Sequence, residues 1–323
     1  MPRPRHDAQG KAGNTLSRRT FLQASMAGLA GLALASQSLK PSPVGALNPP
    51  TDVRVDPRMP PLFCIAYVDP EISWQAGQEA AIARYPLAIV PQSVRPAQMR
   101  WRDDIKELNP KILMLGYQIV IEETMVPGPG HDQIRRAQNS WCVYPGGHKP
   151  TVDVGTSRRN LRLFDPRNPE WQEAFLNACR ATLESYPYDG LFLDQCSVFE
   201  KAHPFPNIKA EMRQALQATL LRLRQEFPST LLIGNSSYNW QGLNGELNEG
   251  RVAALTTELA SFDGHATPTM ELYHSLLHHS HDVERVRREM ALTHARGALY
   301  SASVNYQQIL WFDLFDEVIA QHS

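Results

Sequence analysis

The stretch YDGLFLDQC, Tyr188 to Cys196, sets Leu191, Phe192 and Leu193 directly before the carboxylate of Asp194. A short apolar run opened by Asp-Gly reads as a buried strand, and a buried strand of this kind belongs to a parallel sheet covered on both faces. The runs on either side fit the same scheme. Strands are expected at Leu62 to Val68, Leu87 to Val90, Lys111 to Val120, Gly190 to Asp194, Thr230 to Asn235, Leu243 to Glu249 and Ala298 to Val304.

Helical patterns separate them. In NPEWQEAFLNACRATLESY, Asn168 can cap, Pro169 suits the first turn, and Trp171, Phe175, Ala178, Cys179 and Leu183 share one face. Ile208, Met212, Ala215, Leu216, Leu220 and Leu223 form a second stripe. Thr267 and Pro268 are read as opening a further helix, and Gly297 as closing the one from Asp282 to Arg296. Alternating strand and helix point to an α/β fold, a TIM (β/α)8-like barrel, ahead of an open doubly wound sheet, because no phosphate loop follows the first strand. Seven strands are legible, so the barrel is expected to have a missing or atypical eighth strand.

The amino-terminal part reads differently. SRRTFLQ, Ser17 to Gln23, precedes the apolar run from Ala24 to Ala35, which is too short to span a bilayer. Residues 1–46 are expected to be a twin-arginine signal peptide, 47–61 a Pro-rich linker, and 62–323 a single barrel domain. That places the mature protein in the periplasm or outside the cell, with the twin-arginine translocase as a partner during export and no stable membrane anchor. A chain of 323 residues, 42% hydrophobic, can bury a large core, and its net charge of −1 gives no basic footprint for nucleic acid. The four cysteines match no metal or redox spacing. Cys64 and Cys179 read as core, while a bridge between Cys142 and Cys196 is left open.

In such a barrel the chemistry sits where the strands end, at their carboxyl side. The polar residues there are Asp69, Gln92, Gln118, Glu122, Glu123, Asp194, Asn235, Glu246, Glu249 and Asn305. One carboxylate at a strand end is usually a loop anchor. Two facing one cleft are what glycosidic cleavage requires, one to protonate the leaving oxygen and one to attack the sugar or activate water. Trp74, Trp141, Tyr238 and Trp240 follow strand ends and could stack on sugar faces. The histidines of HSLLHHSHD, His274, His278, His279 and His281, lack a third ligand at a recognisable spacing and read as a solvated helix face. No serine-hydrolase elbow occurs.

YDGLFLDQC, followed by LNGELNEG from Leu243 to Gly250, resembles hypothetical glycosyl hydrolase family fifteen, a TIM-barrel group related to the polygalactosaminidase-like enzymes. LRLFDPRNPEWQEAF resembles that group's lead-in to the helix before the fourth strand. The resemblance implies a glycoside hydrolase acting on a polysaccharide or oligosaccharide, with no cofactor and no metal, and with Asp194 and Glu249 as the catalytic pair. Asp194 is expected to be the nucleophile or base and Glu249 the acid. Asp69, Tyr117, Gln118, Trp141, Asn235, Asn244, Glu246 and Trp240 are the candidate substrate-binding residues, although Glu246, three residues before Glu249, points to the other strand face. Asp189, at the strand's start, reads as structural. A carbohydrate-binding barrel without chemistry and a metal-dependent polysaccharide deacetylase are the alternatives.

Overall fold

The computed structural model describes residues 61–66, 77–92, 96–121, 128–135, 141, 164–196, 206–235, 240–249, 270–277, 281–304, 308–309 and 311–322. The expected signal peptide and all of the linker but its last residue lie outside this set. The strands are β1 (Cys64–Ile65), β2 (Leu87–Val90), β3 (Leu113–Ile119), β4 (Gly190–Asp194), β5 (Leu231–Asn235), β6 (Gly245–Glu249), β7 (Met270–Leu276), β8 (Leu299–Val304) and β9 (Gln308–Ile309). The helices are α1 (Gln78–Ala83), α2 (Pro96–Leu108), α3 (Pro129–Arg135), α4 (Pro169–Ser185), α5 (Pro206–Glu226), α6 (Val283–His294) and α7 (Asp313–His322).

Strands β1 to β8 pair in chain order and all in parallel, and β9 turns back antiparallel on β8. The sheet closes on itself: the Phe63 N–H donates to the Tyr300 carbonyl at 3.0 Å, and the Tyr300 N–H donates to the Pro61 carbonyl at 2.9 Å. Following the paired residues once around, from Ile65 through Ile89, Leu115, Gly190 and Leu231 and on to β8, returns to β1 eight residues before the start. That stagger is the one a (β/α)8 barrel requires.

The expected missing strand is β7, which corrects the reading of a helix after Thr267 and Pro268. Met270, Leu272 and His274 alternate with Tyr273 and Ser275, and all five are buried. A strand covered on both faces loses the polar and apolar alternation by which strands are usually read. ALYSASV is therefore the eighth strand, not the seventh. The helix expectations fare better. The Asn168 side chain accepts from the N–H groups of Glu170 and Trp171, and Trp171, Phe175, Ala178 and Cys179 are buried.

Residues of alternate parity fill the barrel, with Phe63, Leu115, Ile233 and Leu272 among its apolar core, while the outward parity packs against the helices. The starts of β4 and β6 are built alike. Asp189 accepts from the Met114 N–H at 2.7 Å and from Lys106 at 2.8 Å. Asn244 accepts from the Leu232 N–H at 2.9 Å and from Arg224, whose guanidinium also reaches the carbonyls of Gly242, Phe227, Pro228 and Thr230. Each polar residue precedes a glycine that lets the next strand approach. A methyl group on Gly190 would lie 2.0 Å from the Leu231 carbonyl oxygen, and one on Gly245 would lie 2.0 Å from that of Met270.

Gly190→Ala and Gly245→Ala should therefore each destabilise the protein by about 3 kcal/mol, the upper part of the usual range for overpacking. Urea denaturation checks this, and a loss within about 0.5 kcal/mol, ordinary for an unconstrained surface site, would show that the strands tolerate the methyl group.

Candidate active site

The stagger decides which side chains meet. At constant height along the barrel axis the register advances by one residue per strand, so alternate strands supply each interior layer. Asp194 on β4, Glu249 on β6 and Ser303 on β8 fall in one layer at the carboxyl end. Ile65, Tyr117, Asn235 and His274 form the layer beneath it, and Ile89, Phe192, Leu247 and Ser301 the next. Below that the interior is apolar. β4 and β6 are separated only by β5, so the backbones carrying the two carboxylates stand about 10 Å apart, and inward-pointing side chains bring the carboxyl groups closer.

DGLFLD and NGELNE are two copies of one pattern. Each carboxylate stands four residues after the glycine that starts its strand, and each glycine pairs with the matching residue of the strand before it, Leu115 for Gly190 and Ile233 for Gly245. Equal strand positions two strands apart account for the shared layer.

Asp194 is buried at 4% exposure and accepts three hydrogen bonds. The Tyr117 hydroxyl donates to Oδ2, while Asn235 Nδ2 at 2.6 Å and the Gln195 N–H at 2.9 Å donate to Oδ1. Donors on both oxygens suit an ionised carboxylate, which can only accept. Gln195 holds this geometry at φ 66°, the only non-glycine residue with positive φ among those described. A bulky residue in the left-handed region is held there by its surroundings, as strained residues at functional sites often are.

His274 was not expected here. It is fully buried, its Nδ1 lies 3.0 Å from Ser301 Oγ and its Nε2 2.9 Å from Ser303 Oγ. Burial pushes its pKa down to about 3, so the ring is neutral. With β7 read as a helix, His274 fell on an outer face; the register of β7 against β8 places it inside, two residues after Leu272.

Tyr117 and Asn235 reach the site, as donors to Asp194. Five other candidates for substrate binding stand elsewhere. Gln118 has the outward parity and lies behind the barrel wall, bonded to Gln92 and Thr182. Asn244 is at the opposite end of its strand, occupied by the Leu232 N–H and Arg224. Glu246 also faces outward, beside Asn248. Trp240 packs with Met212, Leu216 and Leu243 outside the barrel, under Arg213. Trp141 Nε1 donates to Glu170 at the start of α4. Asp69 lies outside the described residues, as do Trp74, Glu122, Glu123, Tyr238, His278, His279 and Asn305. Cys196 is a buried free thiol facing the Leu193 carbonyl, and Cys142, the other half of the bridge left open, lies outside the described residues. Among the described residues no three His, Cys, Asp or Glu side chains converge as metal ligands would.

No family model matches the chain, and no curated protein matches it. Solved structures do. The glycoside hydrolase domain of PelA from Pseudomonas aeruginosa superposes with a TM-score of 0.51 at 16% identity, over 76% of this chain and 95% of that one. The GH36 α-galactosidases AgaB and AgaA from Geobacillus stearothermophilus give TM-scores of 0.54 and 0.52 at 11% and 12% identity, over 81% and 82% of this chain. This chain spans 40% and 41% of their lengths. The likeness establishes the fold, a barrel of the kind glycoside hydrolase domains have.

Because His274 is buried neutral, the unfolded chain binds a proton that the folded one refuses. Stability should therefore fall with decreasing pH below about 6.5, by up to about 1.4 kcal/mol per pH unit from this group, and the loss should level off near pH 3. The advantage of the wild type over His274→Asn should shrink over the same window in denaturation series at several pH values. A constant difference would contradict a buried neutral ring.

Proposed function

We propose that the chain is an exported glycoside hydrolase that cleaves glycosidic bonds of a polysaccharide, with Asp194 and Glu249 as its carboxylate pair. The observation that carries this reading is their place in one interior layer at the carboxyl end of the barrel. The fold is that of glycoside hydrolase domains, and the resemblance of YDGLFLDQC and LNGELNEG to hypothetical glycosyl hydrolase family fifteen points to the same two residues.

The roles follow from the surroundings. Asp194, with donors on both oxygens, suits the ionised partner, the nucleophile or base. Glu249, half-buried at the end of β6, is left as the acid that protonates the leaving oxygen. Tyr117 and Asn235 hold Asp194 in place. In a retaining reaction Asp194 would bond to the anomeric carbon as the glycosidic bond breaks, and water would then release the sugar, its proton returning to Glu249; in an inverting one it would take a proton from the attacking water. The Arg18 and Arg19 pair before an apolar run supports export by the twin-arginine translocase to the periplasm or beyond.

A panel of bacterial exopolysaccharides and 4-nitrophenyl glycosides, read by release of reducing ends or nitrophenol, is the test. Asp194→Asn and Glu249→Gln should each lower kcat/KM by a factor on the order of 10² to 10⁴ while leaving the unfolding transition in place. Full activity in either variant would remove that residue from the chemistry, and saturable binding without product would favour a carbohydrate-binding barrel.

A further inference from the structure

Gln92 lies two residues past the end of β2, buried at 4% exposure behind the barrel wall, and the reaction as drawn does not use it. Its amide meets four partners. Nε2 donates to the Tyr117 carbonyl and to Gln118 Oε1, each at 2.9 Å, while Oε1 accepts from the N–H groups of Gly130 at 2.8 Å and His131 at 3.3 Å. The first turn of a helix leaves its N–H groups without partners, and two of those of α3 are taken up here by a side chain from the end of a strand. Gln118 is held in turn by the Thr182 hydroxyl at 3.1 Å and donates to the Ile119 carbonyl at 2.9 Å.

Two glycines let α3 come this close. A methyl group on Gly128 would lie 2.5 Å from Gln92 Oε1, and one on Gly130 would lie 2.5 Å from Gln118 Oε1. The pairing of β2 with β3 stops at Val90 and Gly116, one residue short of Tyr117. The Gln92 side chain carries it on to the residue whose hydroxyl donates to Asp194. The same amide fixes the start of α3, where the fully buried His131 sets its ring edge-on to Tyr117, with centroids 6.0 Å apart and planes at 86°. One buried amide thus bears on Tyr117 twice, at its backbone and through the helix packed against its ring. A buried polar network whose members are satisfied is rigid, and a rigid support is what a catalytic hydrogen bond needs.

We propose that Gln92 is a positioning residue: by tying the Tyr117 carbonyl to the first turn of α3, it holds the Tyr117 hydroxyl on Asp194. The inference rests on the glycosidase reading of Asp194. Gln92 stands behind the wall that carries the site, so it acts through Tyr117. Asp194 does its work in the transition state, and a displaced Tyr117 therefore lowers kcat and leaves KM in place.

Kinetics of the whole chain on the 4-nitrophenyl glycoside cleaved fastest in the panel, with rates expressed per folded molecule, test this. Gln92→Met, similar in length and without the amide, should lower kcat about tenfold with KM little changed, as a small misplacement near the reacting groups does. Tyr117→Phe should lower kcat about tenfold or more. The double variant should be no slower than Tyr117→Phe, because the hydroxyl through which Gln92 acts is already gone. A wild-type kcat in Gln92→Met, or losses that multiply in the double variant, would overturn the proposal. Should Gln92→Met not fold, Gln92→Asn carries the same test: its amide is one methylene short of its four partners, kcat should fall, and an unchanged kcat would overturn the proposal. Asp194→Asn separates the two readings. Full activity there would overturn the glycosidase reading, whereas its loss there with Gln92→Met unimpaired would overturn the positioning role alone.

Discussion

The closure of β8 on β1 with a stagger of eight residues is the constraint from which the site follows. A closed parallel sheet leaves no unpaired edge, and the tilt that closure imposes makes alternate strands share each interior layer. Asp194 and Glu249 share a layer for that reason. With the same side chains on an open sheet, β4 and β6 would carry the two carboxylates on one face with no third wall to enclose a sugar.

The interior changes character along its axis. Its lower layers are built from Phe63, Leu115, Ile233, Leu272 and their neighbours, with glycine where β4 and β6 press against the next strand. Its upper layers hold Tyr117, Asn235, His274, Asp194, Glu249 and Ser303. Burying such groups is costly unless they find partners, as Tyr117 and Asn235 do on Asp194 and the two serines on His274. A polar layer assembled on a rigid apolar stack is held in place before any ligand arrives, which is the condition under which fixed dipoles help a reaction most.

Much of this was legible in the sequence, and the failures have a common origin. DGLFLD and NGELNE each set a carboxylate four residues after a glycine, and the two motifs lead to two positions that the register brings into one interior layer. MELYHSL was read as a helix because both faces of β7 are buried, which erases the period of two. That single misreading removed a strand and sent His274 to the surface. Gln118, Asn244 and Glu246 show the second limit. A polar residue near a strand end reads as a candidate ligand, but parity sends Gln118 and Glu246 outward, and Asn244 marks the strand's beginning, where it satisfies the backbone of β5 and the guanidinium of Arg224. Parity and strand direction, once the register is known, separate the site from the scaffold.

The most direct test of the carboxylate pair is the separation of the Asp194 and Glu249 carboxyl groups in a crystal structure. Glycosidic cleavage requires about 5 to 9.5 Å across one open cleft, the lower end for retention of configuration and the upper for inversion. A separation in that range, with Ser303 at the same height, is expected from the register. A separation well beyond it, or a side chain filling the space between the two groups, would contradict their acting on one bond.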